Sequence, residues 1–462
     1  MIKLFNSLTK KKEPLETVEP QKIRMYNCGP TVYDFAHIGN LRSFIVADLF
    51  RRVFEFNDYT VNQVINITDV GHLTDDADNG EDKIEKRARS SKKSASDITE
   101  YYTKAFLKDI KALNIKTENT KFPRATDHIE EQIELIQKLE EKNLIYKTSD
   151  GVYFNTSKIS ECDFFNVVGD SLKEGARVEI NSEKHSPTDF ALWKFSNSQE
   201  KRQQEWDSPW GVGFPGWHLE CSAMAIKYLG EQLDVHSGGI DHKFPHHPNE
   251  IIQSENATGK KPFSRYWLHN EFLSVDGSKM SKSKGNFVTL KDIIDRGHSP
   301  KAFRLWLLGT HYRTPANFTW EALRGATNAY EKMLQKIQSL YPENPEVAAD
   351  QKYLDDFKEY LNDDFDTPSA LALLWKLLKD KKIEDDVKLA TVKEFDKVLG
   401  LDLLTQTENK VDIPPEVNKL IEEREKVREK KDWKKSDFLR NKLESLGFLI
   451  KDTPEGTEIK KK

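Results

Sequence analysis

The sequence predicts an α/β protein: a Rossmann-like parallel-sheet domain that carries an insertion, followed by a helical bundle and a small C-terminal α+β domain. Three observations predict this fold. Near the N-terminus a strand, a helix and a second strand follow one another, which is typical of a parallel βαβ unit. Beyond about residue 310 the apolar residues recur at helical spacing. The last segment has the pattern of two helices and a hairpin.

In the first half of the chain, Ile23–Cys28 is predicted to be the first ordered element, a strand. A helix is expected over Leu41–Phe56, because its apolar residues recur at spacings of three and four. Val61–Ile67 is the next expected strand. A charged helical region is predicted over residues 75–121 and an amphipathic helix over residues 124–144. No G-x-G-x-x-G follows the first strand, so the dinucleotide-binding fingerprint is missing.

In the second half, β structure is expected to restart at Gly151–Asn155 and to become short and irregular up to about residue 201, as in an insertion. The glycines that follow the expected strand Leu233–His236, namely Gly238 and Gly239, are predicted to lie in loops. Beyond Thr310 we expect helices only, until the tail is reached. The last predicted elements are a helix from Thr367 to Leu378, the helices Pro415–Lys431 and Trp433–Leu446, and the hairpin Phe448–Ile459.

The composition is that of an ordinary globular protein, with 37% hydrophobic and 32% charged residues among 462. No run approaches the roughly 18 apolar residues of a membrane-spanning helix, so no membrane association is expected. Cys28, Cys162 and Cys221 are too few and too scattered for a disulfide framework. We therefore expect a cytoplasmic protein. The net charge of -5 argues against extensive coating of nucleic acid, although residues 423–462 are locally basic.

The first chemical motif is His37-Ile38-Gly39-Asn40, between the first predicted strand and the long helix. A helix start offers unpaired N–H groups and the positive end of the helix dipole, so it favours an anion. Gly39 allows a nucleotide to approach the backbone. His37 and Asn40 can both donate to phosphate. By itself, a histidine at a helix start is more often a cap or a core residue.

The second motif is Lys279-Met280-Ser281-Lys282-Ser283, which lies between Gly277 and Gly285. Two ammonium groups three residues apart on a hinged loop can close on a polyphosphate and stabilise a departing pyrophosphate. An exposed Lys/Ser loop is the alternative interpretation. Taken together, the two motifs in this order resemble the class I aminoacyl-tRNA synthetases.

The third motif is a possible metal site made of Cys28, Cys221, His246 and Glu250. His246 and Glu250 are four residues apart and so share one face of a helix, which Pro248 places near its start, about His247. Thiolates, an imidazole and a carboxylate are a plausible zinc set. His247 fits the spacing almost as well as His246, and the four side chains also fit an interpretation as unrelated core residues.

The chain also resembles the cysteinyl-tRNA synthetases, from about Lys22 to the C-terminus. The similarity lies in three segments, which are residues 26–34, residues 216–224 and Phe244-Pro245-His246-His247. The resemblance implies that Cys28, Cys221, His246 and Glu250 hold one zinc ion, and that His246 is the ligand of the histidine pair. It implies an amino-acid and adenylate pocket with Gly29, Thr68, Trp217 and Asp241.

The resemblance further implies that ATP, with Mg²⁺, is bound by His37, Asn40, Lys279 and Lys282, although Asn40 stands where the family commonly has a second histidine. The residues implied at the tRNA anticodon are Arg428, Trp433, Asp437 and Asp452. Trp433 can stack on an unpaired base, worth about 1–3 kcal/mol, or it can pack two helices together. Cys162 matches no functional motif and is interpreted as a core residue.

The resemblance divides the chain into five parts. The two halves of the catalytic domain are residues 1–120 and 206–310, separated by a connective insertion at 121–205. A helical bundle at 311–408 and an anticodon-binding tail at 409–462 follow. The implied partners are tRNA(Cys), L-cysteine and ATP, and a monomer is expected.

The implied activity is ligation of cysteine to its tRNA through a cysteinyl-adenylate, with zinc recognising the substrate thiol. Shape alone separates cysteine from serine by only roughly 1–3 kcal/mol, whereas zinc prefers a thiolate strongly over a hydroxyl. One alternative is the related ligase that joins cysteine to an amino sugar in mycothiol synthesis, which lacks the full tRNA-reading tail. Another is a non-catalytic relative that binds tRNA or zinc only.

Overall fold

The structure is a computed structural model that describes residues 1–71, 82–160, 183–196, 202–280, 285–340, 347–404, 415–429, 432–453 and 456–461, with only some side chains in the last three ranges. The chain forms two compact units. The first comprises residues 1–333 and 340–401, and the second comprises residues 334–339 and 402–462. Each is described by itself.

The chain begins with an antiparallel hairpin of β1 (Lys3–Asn6) and β2 (Lys11–Pro14). Expecting the first ordered element at Ile23 was therefore wrong. The segment is polar and lysine-rich, so no hydrophobic pattern marked it as a hairpin. It is held by contacts distant in sequence: the Asn6 side chain donates to the carbonyl of Arg265, and the Phe5 N–H donates to the Asp364 carboxylate.

The predicted βαβ unit is present as β3 (Lys22–Asn27), α1 (Ile38–Phe56) and β4 (Thr60–Ile65), with β3 and β4 parallel and in contact. The predicted helix begins three residues earlier than expected, because the His37 side chain caps it. The charged region that follows forms α2 (Lys83–Ser91) and α3 (Ala95–Ala112), and the expected amphipathic helix is α4 (Ile129–Glu141).

The insertion contributes β5 (Ile145–Lys147), β6 (Gly151–Phe154) and β7 (Phe190–Phe195) to an antiparallel sheet, which β8 (Gly213–Pro215), beyond residue 205, completes next to β7. The expectation of irregular structure up to residue 201 was wrong for β7. Its sequence, FALWKF, is apolar almost throughout, because both faces of the strand are buried and no alternation remains to be read. Cys162 lies outside the described residues.

Four further elements complete the central layer: α5 (Trp217–Leu229), β9 (Leu233–Gly239), α6 (His246–Thr258) and β10 (Ser264–Asn270). The strands form one parallel sheet in the order β10, β9, β3, β4. Gly238 and Gly239 lie in β9, so placing them in a loop was wrong. A side chain at Gly238 would meet the imidazoles of His242 and His247, so close packing is the reason for glycine here.

A small sheet of β11 (Leu273–Val275), β12 (Ser278–Lys279) and β13 (Ala316–Phe318) lies beside α7 (Leu290–Asp295) and α8 (Pro300–Leu308). β13 shows that the chain is not helical throughout beyond Thr310. Its three residues pair in parallel with β11, which is 40 or more residues earlier, and so short a strand leaves no local periodicity.

The helices that follow are α9 (Trp320–Gln338), α10 (Gln351–Asn362), α11 (Thr367–Lys379) and α12 (Asp385–Leu399). A buried charge network joins them to the sheet domain. Arg304 on α8 donates to Asp48 on α1 (2.5 Å) and to the carbonyl of Leu399 at the end of α12 (2.7 Å). All three helices are therefore fixed to one another.

The second unit contains α13 (Pro415–Glu429), α14 (Trp433–Ser445) and an antiparallel hairpin of β14 (Phe448–Thr453) and β15 (Gly456–Lys461), as the sequence predicts. Val417, Ile421, Leu443, Phe448 and Ile450 form its small core. The sequence expectation of a parallel-sheet domain, helices and a small α+β tail is confirmed. Among the described helices, none has the length and apolar composition that crossing a membrane requires.

Candidate active site and metal centre

Four candidate metal ligands meet in the core of the first unit, delivered by three different elements. Cys28 directly follows β3, Cys221 lies on α5, and His246 and Glu250 lie one turn apart at the start of α6. Their ligand atoms lie within 4.8 Å of one another, and all four side chains are buried. The structure thus brings together four residues that span more than 200 positions of sequence.

Hydrogen bonds between the elements hold this arrangement. The Cys28 N–H donates to the carbonyl of Ser237 on β9 (3.1 Å), which ties the end of β3 to the sheet. Between α5 and α6, the Gln253 side-chain amide donates to the carbonyl of His218 and to Ser222 Oγ, both at 2.7 Å. These buried contacts fix the separation between Cys221 and the α6 ligands.

The Glu250 carboxylate lies at the centre of the cluster. Its Oε1 lies 3.0 Å from His246 Nε2, and its Oε2 lies 2.9 Å from His236 Nε2. Burial by itself would raise the pKa of Glu250, but the imidazoles of His236 and His246 outweigh burial and lower its pKa to about 2. Glu250 is consequently ionised at neutral pH, a full negative charge inside the core.

The pKa values of the two thiols are shifted in opposite directions. Burial, and then the proximity of Cys221, raise the pKa of Cys28 well above its usual range. A hydrogen bond with Cys28, and then the nearby His246, lower the pKa of Cys221. Burial would lower the pKa of His246, but Glu250 and Cys221 raise it to about 10. A site that concentrates anionic groups and imidazoles in this way fits a bound cation, and the sulfur and nitrogen donors suit zinc.

A second group of four overlaps the first and contains His247. Cys28, His236, His247 and Glu250 also lie within 4.8 Å of one another. Cys28 Sγ is 3.3 Å from His247 Nε2, and His247 Nδ1 is 2.8 Å from His269 Nε2. Two thiol ligands are available only in the set with Cys221 and His246, and thiolates select zinc among divalent ions. That chemistry favours His246 over His247.

Beside the cluster, Gly29 and Thr68 are joined through Asn66. The Gly29 N–H donates to Asn66 Oδ1 (2.7 Å), and the Asn66 amide donates to Thr68 Oγ1 (3.0 Å). A Cβ at Gly29 would lie 1.5 Å from the Asn66 carbonyl oxygen, so only glycine fits. The family resemblance implied Thr68 in the pocket but not the linking role of Asn66.

Trp217 and Asp241 occupy different environments. Trp217 begins α5, is half-buried, and lies with its ring centroid 4.4 Å from that of His246. Asp241 is exposed in a short turn, Ile240–Lys243, that links β9 to α6. Trp217 therefore contacts a candidate ligand directly, whereas Asp241 belongs to the rim at the end of the sheet, where ligands of open α/β sheets bind.

The first motif forms the start of α1 through a reciprocal capping box. Asn40 N–H donates to His37 Nδ1 (3.0 Å), and His37 N–H donates to Asn40 Oδ1 (3.2 Å). With Nδ1 accepting this bond, neutral His37 carries its proton on Nε2. Burial lowers the pKa of His37, which favours that neutral form. The structure thus gives Asn40 a definite task, which is to hold the His37 ring.

The second motif is described only in part. Lys279 lies exposed at the end of β12, and Met280 follows it, whereas Ser281, Lys282 and Ser283 lie outside the described residues. After that gap the chain returns to the first motif: Ile38 N–H donates to the carbonyl of Val288 (2.9 Å). A Cβ at Gly39 would lie 2.7 Å from Met280 Cε. The two predicted nucleotide-binding motifs are therefore neighbours.

In the second unit, Arg428 lies near the end of α13 and is half-buried, and Asp437 lies on α14 and is exposed. Trp433 begins α14 with 59% of its surface exposed, which argues against a role limited to packing two helices. Asp452 lies in β14, but its side chain is outside what the structure describes.

The histidines around the metal ligands were missed from the sequence. His218 Nδ1 lies 2.9 Å from His246 Nδ1, and His236 and His269 contact Glu250 and His247. A signal was available, since half of the 12 histidines occur between residues 218 and 269. They place polar partners behind the candidate ligands, and such partners orient ligating side chains.

Two protein-family models match this chain. A family model described as the class I (C) tRNA synthetase catalytic domain matches residues 14–328. A second model, described as the cysteinyl-tRNA ligase anticodon-binding domain, matches residues 410–459. Between them they span most of the chain.

Curated relatives match along the whole length. Cysteine–tRNA ligase 1 of Burkholderia lata is 46% identical over 461 residues, which cover 99% of this chain and 96% of that protein. The cysteine–tRNA ligase of Treponema denticola is 41% identical over 491 aligned residues, which cover 100% and 99%.

Solved structures share the fold at low identity. A Mycobacterium tuberculosis methionyl-tRNA synthetase in complex with methionyl-adenylate has a TM-score of 0.57 and 16% identity, covering 84% of this chain and 92% of that one. The agnB2 LeuRS of Agrobacterium radiobacter K84, from a ternary complex, has a TM-score of 0.60 and 10% identity, covering 86% of both chains. By the family models and the curated relatives, the chain belongs to the cysteine–tRNA ligase family of class I tRNA synthetases, which confirms the resemblance found in its motifs.

Proposed function

We propose, starting from this family membership, that the chain ligates L-cysteine to tRNA(Cys) in two steps, of which the first consumes ATP. The cysteine carboxylate attacks the α-phosphate of ATP, giving cysteinyl-adenylate and pyrophosphate. A hydroxyl of the terminal tRNA adenosine then attacks the adenylate carbonyl, and AMP leaves. Positioning and charge stabilisation suffice for both steps, so no side-chain nucleophile is required. The buried group of Cys28, Cys221, His246 and Glu250 is the observation that carries the cysteine assignment.

We propose that these four residues hold one zinc ion per chain. When bound, zinc supplies a preference for thiolate over hydroxyl and lowers the pKa of a coordinated thiol. The protein would hold the four donor atoms together, exclude water from them and place Trp217 beside them. Selection by the metal would explain how serine is excluded, since shape alone discriminates by only roughly 1–3 kcal/mol.

The pocket for the amino acid and its adenylate is assigned to Gly29, Thr68, Trp217 and Asp241. The Thr68 hydroxyl accepts a hydrogen bond from Asn66 and so has its own proton free to donate. The close approach of Gly29 to Asn66, with the bridge between Thr31 and Thr68, holds the segment after Cys28 beside the segment that carries Thr68. Asp241, exposed at the carboxyl end of β9, is suited to the polar part of the adenylate.

For ATP, we assign His37, Asn40, Lys279 and Lys282, with Mg²⁺ on the phosphates. His37 presents Nε2–H at the helix start, where the dipole and unpaired N–H groups favour phosphate. Asn40 fixes the ring of His37. Lys279 and Lys282, on either side of Met280, would stabilise the departing pyrophosphate as the loop closes.

The anticodon is assigned to the second unit, with Arg428, Trp433, Asp437 and Asp452 as contacts. An exposed tryptophan beside cations suits the stacking of an unpaired base. We retain the five-part domain division given by the sequence, with the tail at 409–462. A monomer acting in the cytoplasm remains our expectation, and unpaired thiols in the proposed metal site agree with a reducing compartment.

The decisive experiment is amino-acid-dependent ATP–pyrophosphate exchange with each of the twenty amino acids, combined with metal analysis of the same preparation. We expect exchange with cysteine only and one zinc per chain. Acceptance of serine within about tenfold of cysteine would contradict zinc-based selection. Charging of added tRNA would separate this function from cysteine ligation to an amino sugar, and absent exchange would indicate a non-catalytic relative.

A further inference from the structure

A buried arginine joins α1 to the small sheet of β11, β12 and β13. Arg42 lies in the second turn of α1 and is only 2% exposed. Its guanidinium donates to backbone carbonyl oxygens, with Nη1 2.7 Å from that of Phe272 and Nη2 2.6 Å from that of Thr314. A third acceptor is the carbonyl oxygen of Tyr312, which lies 3.2 Å from Nη2. These acceptors lie outside α1, so the arginine connects the helix to a separate part of the fold.

The three carbonyls lie where β11 and β13 begin. Phe272 directly precedes β11, and Tyr312 and Thr314 lie in the segment that leads into β13. The carbonyl of Tyr312 also accepts the N–H of Glu271 at 2.9 Å. In the same way, the carbonyl of Phe272 accepts the N–H of Ala316 at 3.0 Å. The guanidinium therefore binds the point at which the two segments pair, and it fixes the starts of both strands to α1.

β11 and β13 in turn hold β12, the strand that ends at Lys279. β12 pairs with β11, and the turn between them is held to β13 by Asn317. The side-chain oxygen of Asn317 accepts the N–H of Gly277 at 2.7 Å and the hydroxyl of Ser274 at 2.9 Å. The strands contain only two or three residues each, so the sheet depends on contacts outside it. The position of Lys279 relative to α1 therefore depends on the arginine at the base of the sheet.

The chain returns to α1 after the second motif. The Ile38 N–H donates to the carbonyl of Val288 at 2.9 Å. The chain is thus attached to α1 on both sides of the second motif, through Arg42 before it and through Ile38 after it. Both attachments are made to the helix whose start carries His37.

The residue type suits an anchor of this kind. A guanidinium offers several N–H donors in a rigid planar fork and can bind carbonyls of two segments at once, whereas an ammonium is a point charge on a flexible stem. Burial lowers the pKa of Arg42 to about 10, an effect that Glu271 opposes, so the group stays cationic at neutral pH. Hydrogen bonds from a charged donor are stronger than those between neutral groups.

We propose that Arg42 is a positioning residue for adenylate formation, because it sets the distance between the helix start that carries His37 and the strand that carries Lys279. The inference rests on the proposed function, which assigns both of these residues to the phosphates of ATP. Arg42 acts through the backbone of the small sheet rather than on the phosphates themselves.

The test is Arg42→Lys in the full-length enzyme, with Arg52→Lys as the matched control. Arg52 lies on the same helix, is 5% exposed, and donates to the carbonyls of Asn114 (2.6 Å) and Lys397 (2.8 Å), neither of which belongs to the small sheet. We expect both variants to lose stability. Only Arg42→Lys should lower kcat for cysteine-dependent pyrophosphate exchange, by at least about tenfold, since a displacement of about 1 Å can cost about 10²-fold. Zinc content and KM for cysteine should stay within about twofold of wild type, because the buried cluster is held by other contacts.

A second variant loosens the sheet without touching the buried arginine. Asn317→Ala removes the contacts to Gly277 and Ser274 at an exposed position, where folding should be unaffected. It should lower kcat for pyrophosphate exchange several-fold, with zinc content and KM for cysteine unchanged. An unchanged kcat in Asn317→Ala and Arg42→Lys, or an equal loss of kcat in Arg42→Lys and Arg52→Lys, would overturn the inference.

Deuterium uptake by the backbone provides a measurement that does not rely on activity. In Arg42→Lys, residues 271–279 and 312–318 should take up deuterium faster than in wild type, whereas in Arg52→Lys they should not. Unchanged uptake in Arg42→Lys would show that the arginine does not anchor the sheet. A wild-type enzyme without cysteine-dependent pyrophosphate exchange would refute the proposed function instead, and the uptake comparison would still decide whether Arg42 is the anchor.

Discussion

The candidate metal cluster and the second motif, around Lys279, are built in opposite ways. Cys28, Cys221, His246 and Glu250 are at most 7% exposed and are delivered by elements that hydrogen bonds lock together. Lys279 is exposed at the end of a two-residue strand, beside glycines with φ of +73° and +68° at positions 277 and 285. The first group is buried in the core, whereas the described part of the second motif is exposed and is flanked by glycines with positive φ.

The proposed function accounts for this contrast through what each site would have to recognise. To distinguish sulfur from oxygen, a site must place its donors accurately and exclude water, and both needs are met by burial. Phosphate binding and pyrophosphate release require charges that approach and withdraw, which favours glycine-flanked segments. The comparison implies that substitutions in the buried cluster should abolish recognition of cysteine. Substitutions in the second motif, residues 279–283, should instead slow adenylate formation.

The largest effect is expected from Cys221→Ser. Loss of one thiol ligand should lower cysteine-dependent pyrophosphate exchange by at least about 10³-fold, because a site built around one polar contact tolerates its loss poorly. Metal analysis should show reduced zinc. Cys162→Ser is the control and should retain both metal and exchange. Full activity of Cys221→Ser without bound metal would contradict the role of the cluster.

The next effect is expected from Lys282→Ala. Adenylate formation should slow by about 10²-fold or more, the loss typical of one group that stabilises transition-state charge. Cysteine affinity should change little, because the loop lysine acts on phosphate. Single-turnover kinetics with separate measurement of cysteine binding check this. If binding weakens and the chemical step does not, the assignment of Lys282 is wrong.

Gly29→Ala tests how rigid the buried region is. The added methyl would lie 1.5 Å from the Asn66 carbonyl oxygen. The backbone must therefore move at Gly29, which follows Cys28, or at Asn66, which lies two residues before Thr68. A displacement of about 1 Å can cost about 10²-fold in rate, and we expect a loss of that order in exchange. Gly325→Ala is the control, because a Cβ added there would meet no neighbouring atom within 4 Å. Alanine at this helical position should raise the free energy of unfolding by about 0.5–1 kcal/mol. Similar behaviour of the two variants would refute the tight fit.

The smallest effect is expected from Asn40→Ala, which removes half of the capping box at His37. Loss of this side chain should cost about 1 kcal/mol of stability and reduce exchange about fivefold, because His37 loses its fixed orientation. Asp97→Ala removes the equivalent cap of α3 and should reduce stability without affecting exchange. Denaturant melts and exchange assays on both variants provide the comparison. Equal loss of exchange in both would show that Asn40 acts only through helix stability.

Much of the fold could be predicted from short stretches of the sequence. The βαβ unit, α11 and the helices of the tail were expected because amphipathic spacing and capping residues are properties of neighbouring residues. The hairpin β1–β2, the buried strand β7 and the three-residue strand β13 were missed. Each owes its existence to partners distant in sequence, and none carries the alternation that marks a half-buried strand.

The sequence by itself determined the family, through motifs whose residue types and order suffice for a resemblance, and it supplied the four candidate metal ligands. Only the tertiary structure decided that Cys28, Cys221, His246 and Glu250 lie within 4.8 Å of one another, that Asn66 links Gly29 to Thr68, and that Asn40 holds His37. The reason is physical. The chemistry of a side chain follows from its residue type alone. The distances between side chains are set by sheet register and helix packing across the whole chain.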